Sequence, residues 1–251
     1  MLKVGDYVSR NSYNNDIIFV IKRIENGVCY LKGALERLVA DAPLDDLKKE
    51  NEVTETFEAK RPTLEEREDY FYLPGKILHI DADLDYLNKC LNYYKGVKIW
   101  AVGKCINEQE VPKQITELIK EYNPNIVVIT GHDAFNKNKN TYKNSHYFIE
   151  AIKEARKYEK SHEKLIIIAG ACQSDYEELI KAGANFASSP KRINIHALDP
   201  AIIASSISMS DATKEINLKE ILENTKYGSE GMGGIITKGT MYMGYPRWLK
   251  A

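Results

Sequence analysis

The chain has 251 residues, 43% of them hydrophobic and 28% charged, with a formal net charge of −1. That length accommodates one large domain, or a core domain with a small companion. The near-neutral balance argues against a general nucleic-acid or membrane-surface binder, and no apolar run reaches the roughly 18 residues of a membrane span. Met1–Asp6 carries no signal-peptide apolar region. Cys29, Cys90, Cys105 and Cys172 show no CxxC spacing, which points away from a zinc site or disulfide framework and toward a reducing environment. No cofactor or metal is expected.

Residues 1–47 read as short strands. Val4–Val8 opens with a turn, Asn14-Asn15-Asp16 is turn chemistry, and Asp16–Arg23 is β-branched and aromatic. Glu25-Asn26-Gly27 predicts a hairpin, because Asn-Gly supplies the positive φ of a tight turn. Val28–Leu31 returns, and Leu35–Val39 adds one more strand. Strands this short and closely connected predict a small SH3-like β-barrel. Residues 48–73 are a charge-rich connector with some helix after Pro62, and Lys60, Arg61 and Arg67 are exposed candidates for self-processing. From Pro74 to the end, strands and helices alternate.

Lys76–Ile80 is an apolar strand ending in Asp81-Ala82-Asp83, and Leu84, Leu87, Leu91 and Tyr94 then recur at helical spacing. Val97–Val102 reads as the second strand. Val111, Ile115, Leu118, Ile119 and Tyr122 form one helical face, with Pro112 in the first turn. Asn125–Thr130 is the third strand, followed by a polar loop and a helix with Phe148, Ile149, Ile152 and Ala155 inside. Lys164–Ala169 is the fourth strand, and its Leu165–Ala169 has no polar alternation, as suits a parallel strand buried on both faces. A short helix ends at Gly183, and a fifth strand region follows over 184–189 and 193–195. A small-residue helix over 197–209, a last helix, the glycine-rich loop Gly228–Gly234 and an edge strand or hairpin over 235–244 complete the chain. Strands separated by single helices predict an α/β doubly wound, mainly parallel sheet with all strand carboxyl ends on one rim.

Asp81, Asp83, His132 and Cys172 each follow a strand and therefore fall on that rim, where open α/β sheets keep their ligands. One strand–helix–strand unit separates His132 from Cys172. If their strands are neighbours, the two Cα atoms lie roughly 5–10 Å apart. An imidazole at that distance takes the proton of a nucleophilic thiol. The backbone N–H of Cys172, and a second from the Gly131–Asp133 turn, are candidate oxyanion donors. Cys29, Cys90 and Cys105 read as buried small hydrophobes, and His196, after the fifth strand, is the competing base.

The segments His132 and Cys172 occupy, Gly131-His132-Asp133 and Ala169-Gly170-Ala171-Cys172-Gln173-Ser174, resemble the dyad arrangement of caspase-like cysteine peptidases, with His before Cys. This order disfavours non-proteolytic Cys/His hydrolases and amidotransferases, which place the Cys first. Over nearly its whole length the chain resembles the YabG family of sporulation-specific proteases. The matching features are the GDYV opening, HIDAD (79–83), TGHDAF (130–135), AGACQSD (169–175) and ASSPKRINIHALDP (187–200). The resemblance implies a cysteine endopeptidase that processes spore coat and cortex-associated proteins in the mother cell, with no nucleic-acid partner. One departure is that caspases carry His-Gly where this chain carries Gly-His. The clan also implies strict selection of the residue before the scissile bond. Arg or Lys is expected there, with Asp81 or Asp83 in the pocket or capping the next helix, and Asp175 as a helper. Ala187–Ser189, with Ser188 and Ser189, would present backbone to an extended substrate. The alternative is a non-catalytic flavodoxin-like module joined to a protein- or nucleic-acid-binding barrel.

Overall fold

The computed structural model describes residues 2–53, 62, 67–136 and 140–247. It divides into two compact units, 1–58 and 59–251.

The first unit is a five-stranded antiparallel sheet. Its strands are β1 (Tyr7–Arg10), β2 (Phe19–Glu25), β3 (Val28–Gly33), β4 (Val39–Pro43) and β5 (Leu47–Lys49), in the order β4-β3-β2-β1-β5. Asn26 and Gly27 take φ of 50° and 81° in the β2–β3 turn, as the Asn-Gly signal predicts. Val8, Phe19, Ile21, Cys29, Leu31 and Ala42 form its core. The strand predicted at 35–39 lies four residues later, at 39–43, and β5 continues the sheet into the segment predicted as connector. Asp46 accepts the Ser12 N–H and hydroxyl at 2.8 and 2.7 Å just before β5. The proposed helix after Pro62, with Lys60 and Arg61, lies outside the described residues.

The second unit is a mixed α/β fold on a six-stranded, mainly parallel sheet. A short strand β6 (Phe71–Leu73) precedes β7 (Ile77–Asp81), α1 (Leu84–Gly96), β8 (Ala101–Cys105), α2 (Val111–Tyr122) and β9 (Ile126–Thr130). After a small hairpin, β10 (Phe135–Asn136) and β11 (Thr141–Tyr142), come α3 (Ser145–Tyr158), β12 (Ile166–Gly170), α4 (Tyr176–Ala182), β13 (Phe186–Ser188), α5 (Asp199–Ser208), α6 (Leu218–Glu223), one helical turn α7 (Gly228–Gly231), β14 (Met232–Gly234) and β15 (Tyr242–Gly244). The sheet order is β14-β13-β12-β9-β7-β8, with only β14 antiparallel to its neighbour.

β12 shows why this sheet is covered on both sides. Ile166 and Ile168 face one cluster with Cys90 and Tyr94 of α1 and Ile203 and Ile207 of α5. Ile167 and Ala169 face the other, with Ile115 of α2, Ile152 of α3 and Leu179 of α4. An unbroken apolar strand has this consequence, because alternate side chains need separate partners. The chain steps outward from β7 to β8 through α1, then returns to the other side of β7 at β9 through α2 on the opposite face. The strand order therefore reverses between β7 and β9, where open α/β sheets form their crevice.

Three expectations need correction. The second strand runs over 101–105 rather than 97–102, because α1 ends at Gly96 and Lys98 takes a φ of 60°, turning the chain before the strand begins. Gly228–Gly234 is one helical turn and a strand. Gly233 and Gly234 lie where a Cβ would be 2.6 Å from the Tyr176 hydroxyl and 2.5 Å from the Phe186 ring, so the strand pairs only without side chains there. The fifth strand region is confined to Phe186–Ser188, and its outer edge is taken by β14, with Ser188 opposite Met232. Ala187–Ser188 thus offers no open edge to an added strand.

Candidate active site

The register of the parallel strands builds a row at the carboxyl rim. Asp81 pairs with Thr130, and Thr130 with Gly170. Asp83, His132 and Cys172 each stand two residues beyond that row, past the ends of three adjacent strands. Asp83 and His132 flank the β7–β9 reversal.

Asp83 caps α1: its Oδ1 accepts from the N–H groups of Asp85 at 2.9 Å and Tyr86 at 3.2 Å. Its Oδ2 lies 3.4 Å from His132 Nε2. One carboxylate thus serves the helix N-terminus and faces the imidazole. Asp81 is fully buried. Its Oδ1 accepts the Asp83 N–H at 2.8 Å and its Oδ2 the Thr130 hydroxyl at 2.6 Å. Thr130 Oγ1 lies 3.0 Å from His79 Nε2, and His79 Nδ1 lies 2.8 Å from the Tyr94 hydroxyl. This buried network satisfies a histidine and an aspartate inside the sheet and fixes the turn carrying Asp83.

His132 is held from several directions. Its backbone N–H donates to Glu108 Oε1 at 2.8 Å, and its carbonyl accepts from Asn144 Nδ2 at 2.7 Å. The same Glu108 oxygen is 3.7 Å from Nδ1. The ring packs against Tyr86 with centroids 6.0 Å apart, and Nε2 is buried without a hydrogen bond. Burial pushes the imidazole down, but the Asp83 and Glu108 carboxylates outweigh it and hold the His132 pKa above the ordinary 6.5. For Glu108, burial pushes upward, and the hydrogen bonds from His132 outweigh it and hold the carboxyl low.

Glu108 is the residue that sequence reasoning missed. It lies just past the end of β8, on the same rim. Placing that strand three residues early moved its carboxylate off the rim.

Asp133 organises the loops around the site. It accepts from the N–H groups of Ala134 and Asn144 at 2.8 and 2.7 Å, and from the Ser145 hydroxyl. Ser145 Oγ in turn accepts the Asp175 N–H at 2.8 Å. The loops after β9 and β12 are thereby tied together at the start of α3.

Cys172 is fully buried. The Ile195 N–H donates to its sulfur at 3.3 Å. The thiol joins the α1–α5 cluster, the same side on which the His132 ring meets Tyr86. Its turn is braced by Gly170 at φ 116°, whose Cβ would strike Ser188 Oγ at 2.3 Å, and by Gln173 at φ 55°. Ser188 and Ser189 both donate to the Ala171 carbonyl, at 2.7 and 3.1 Å. Ser189 also accepts the Gln173 N–H at 2.9 Å. Both serines are buried and support the cysteine turn from below. His196 adjoins Ile195. Its Nδ1 accepts the Leu198 N–H at 3.3 Å, and its own N–H donates to the buried Asp199 at 3.0 Å.

Cys105, at the end of β8, is the exposed thiol of the rim. Burial of the group and then the Asp81 and Asp83 carboxylates push its pKa up, which disfavours the thiolate. Beside the Cys172 turn a cavity of about 510 Å³ is lined by Tyr142, Ser174, Asp175, Tyr176, Glu178 and Arg192 among others. Asp175 also caps α4. Among the described residues no three His, Cys, Asp or Glu side chains are grouped as metal ligands, and no helix is long and apolar enough to cross a membrane.

Comparison with known proteins defines the class as a peptidase. The family described as YabG peptidase U57 matches residues 3–64 and 52–246. The sporulation-specific protease YabG of Bacillus subtilis (strain 168) is 40% identical over 283 residues, covering 97% of this chain and 98% of that protein. The chain belongs to the YabG peptidase family.

Proposed function

We propose that this peptidase acts during sporulation as a cysteine endopeptidase, with Cys172 as nucleophile and His132 as base. The observation that supports this most is that Asp83, His132 and Cys172 each stand two residues beyond the paired ends of three adjacent strands at the crevice. In this scheme the Cys172 proton passes to His132, the thiolate attacks the scissile carbonyl, and the imidazolium protonates the leaving amine. The Asp83 and Glu108 carboxylates favour the imidazolium. The Cys172 N–H serves as oxyanion donor. Gly131, pressed against a carboxylate, contributes clearance rather than a positive field. Because the thiol is buried under Ile195, substrate entry displaces the 193–196 segment.

The sheet is read as caspase-like and the N-terminal unit as an SH3-like barrel. The preferred residue before the scissile bond is Arg or Lys. Asp81 has both oxygens occupied and Asp83 serves the helix and His132. Asp175, which caps α4 and lines the cavity beside Cys172, is taken as the carboxylate that meets the basic side chain. The substrates are proteins of the spore coat and cortex region, met in the mother cell.

Cleavage of Arg- and Lys-containing peptides tests this. Cys172→Ala and His132→Ala should each abolish it while circular dichroism stays native, Asp175→Ala should raise KM for basic peptides, and Cys105→Ser should cleave normally. Full cleavage by Cys172→Ala would end the reading.

A further inference from the structure

We propose that Glu108 is the positioning residue of His132, and that position 131 is glycine to admit its carboxylate. This deepens the dyad reading and rests on it. A single oxygen, Glu108 Oε1, takes the His132 backbone N–H at 2.8 Å and faces Nδ1 at 3.7 Å. Main chain and ring are therefore referred to the same atom. Asn144 holds the His132 carbonyl at 2.7 Å, so both peptide groups of the residue are gripped.

Gly131 explains the Gly-His order. It is not among the residues with positive φ, so backbone freedom is not what position 131 requires. A Cβ there would lie 2.6 Å from Glu108 Oε1 and 2.9 Å from its Cγ. Any side chain at 131 would push the carboxylate away from His132. The glycine and the glutamate, 23 residues apart in sequence, form one device.

The chemistry follows from which carboxylate faces each nitrogen. Glu108 on the Nδ1 side and Asp83 on the Nε2 side each favour a proton on the nitrogen they face, so the ring is held ready for the charged form. In the dyad reading Nε2, buried and without a hydrogen bond, exchanges the proton with the thiol: the S–H bond breaks as the Nε2–H bond forms. Asp83 Oδ2, 3.4 Å from Nε2, and Glu108 then share the imidazolium charge. Glu108 touches neither substrate nor sulfur in this arrangement and acts through His132.

The test uses the full chain. NMR titration of His132 in Cys172→Ala, with and without Glu108→Gln, should show a lower midpoint when the charge is removed. In active protein, Glu108→Gln should move the alkaline limb of the kcat/KM profile to lower pH. Glu108→Ala, which also loses the backbone acceptor, should lower kcat about tenfold or more with KM little changed, a part of the roughly 10²–10⁴-fold that a positioned base contributes in all. Glutamine keeps the acceptor for the His132 N–H and would rescue a merely structural role. A wild-type pH profile in Glu108→Gln, an unmoved His132 midpoint, or unchanged kcat in Glu108→Ala would each overturn the proposal. Full cleavage by His132→Ala would overturn the dyad itself, and that variant reads it separately.

Discussion

At the scale of single residues, the site is a set of carboxylates each used more than once. Asp83 caps a helix and faces an imidazole. Asp81 ties Thr130 to the Asp83 turn, and Asp133 joins three loop segments. The histidine these groups surround binds its proton more tightly in the folded protein than in the unfolded chain. By linkage, its contribution to stability is fully present below the unfolded value near 6.5 and is lost as pH rises through the raised folded value. Urea denaturation of Cys172→Ala should therefore show stability declining as pH rises across that window, and His132→Gln should flatten the decline. An unaltered slope in His132→Gln would show that the carboxylates do not favour its charged form. His132 and Cys172 were readable as candidates because each follows a strongly apolar strand. Glu108 was not, since its strand is only partly buried and its apolar signal was shifted toward Val97 and Ile99.

At the scale of elements, α3 is pinned to the sheet at the end opposite the rim. Arg156, in the last turn of α3, donates through Nε to the Gly183 carbonyl at 2.8 Å and through its two terminal nitrogens to the Leu165 carbonyl at 2.9 Å and Asn185 Oδ1 at 2.6 Å. Asn185 Oδ1 also accepts the Ile167 N–H at 3.0 Å. Burial lowers the guanidinium pKa to about 10, so it remains charged at neutral pH. One planar side chain thus joins the starts of β12 and β13 to the end of α3. Arg156→Ala leaves the half-buried Gly183 and buried Leu165 carbonyls and Asn185 Oδ1 without this donor and should cost about 2–4 kcal/mol by chemical denaturation. Arg156→Lys should recover little of this, because an ammonium cannot span the fork. Recovery of full stability by lysine would show that charge, not planarity, matters there. The helix of Val111, Ile115 and Ile119 and the strand of Ile166–Ile168 were legible because their apolar spacing is imposed by burial. The glycine-rich 228–234 segment was not, because its strand is made possible by the Tyr176 and Phe186 rings it passes beneath.

At the scale of the molecule, the chain holds two compact units with separate cores. Val8, Phe19, Ile21 and Leu31 belong to one, and the two faces of the parallel sheet belong to the other. Calorimetry should resolve more than one unfolding transition, and core substitutions such as Ile21→Ala and Ile167→Ala, each costing about 2–5 kcal/mol, should each displace a different one. A single transition shifted equally by both would mean that the units unfold as one. The amino-acid sequence alone determined the alternation of strands and helices, the common rim, and the resemblance to the YabG family, because these are carried by local apolar periodicity and by contiguous motifs. Only the tertiary structure decided that β14 closes the β13 edge, that Ser188 and Ser189 brace the cysteine turn, and that Glu108 reaches His132 across Gly131. Those outcomes depend on contacts between residues distant in the chain, and no local spacing encodes which carboxylate a folded rim will bring to an imidazole.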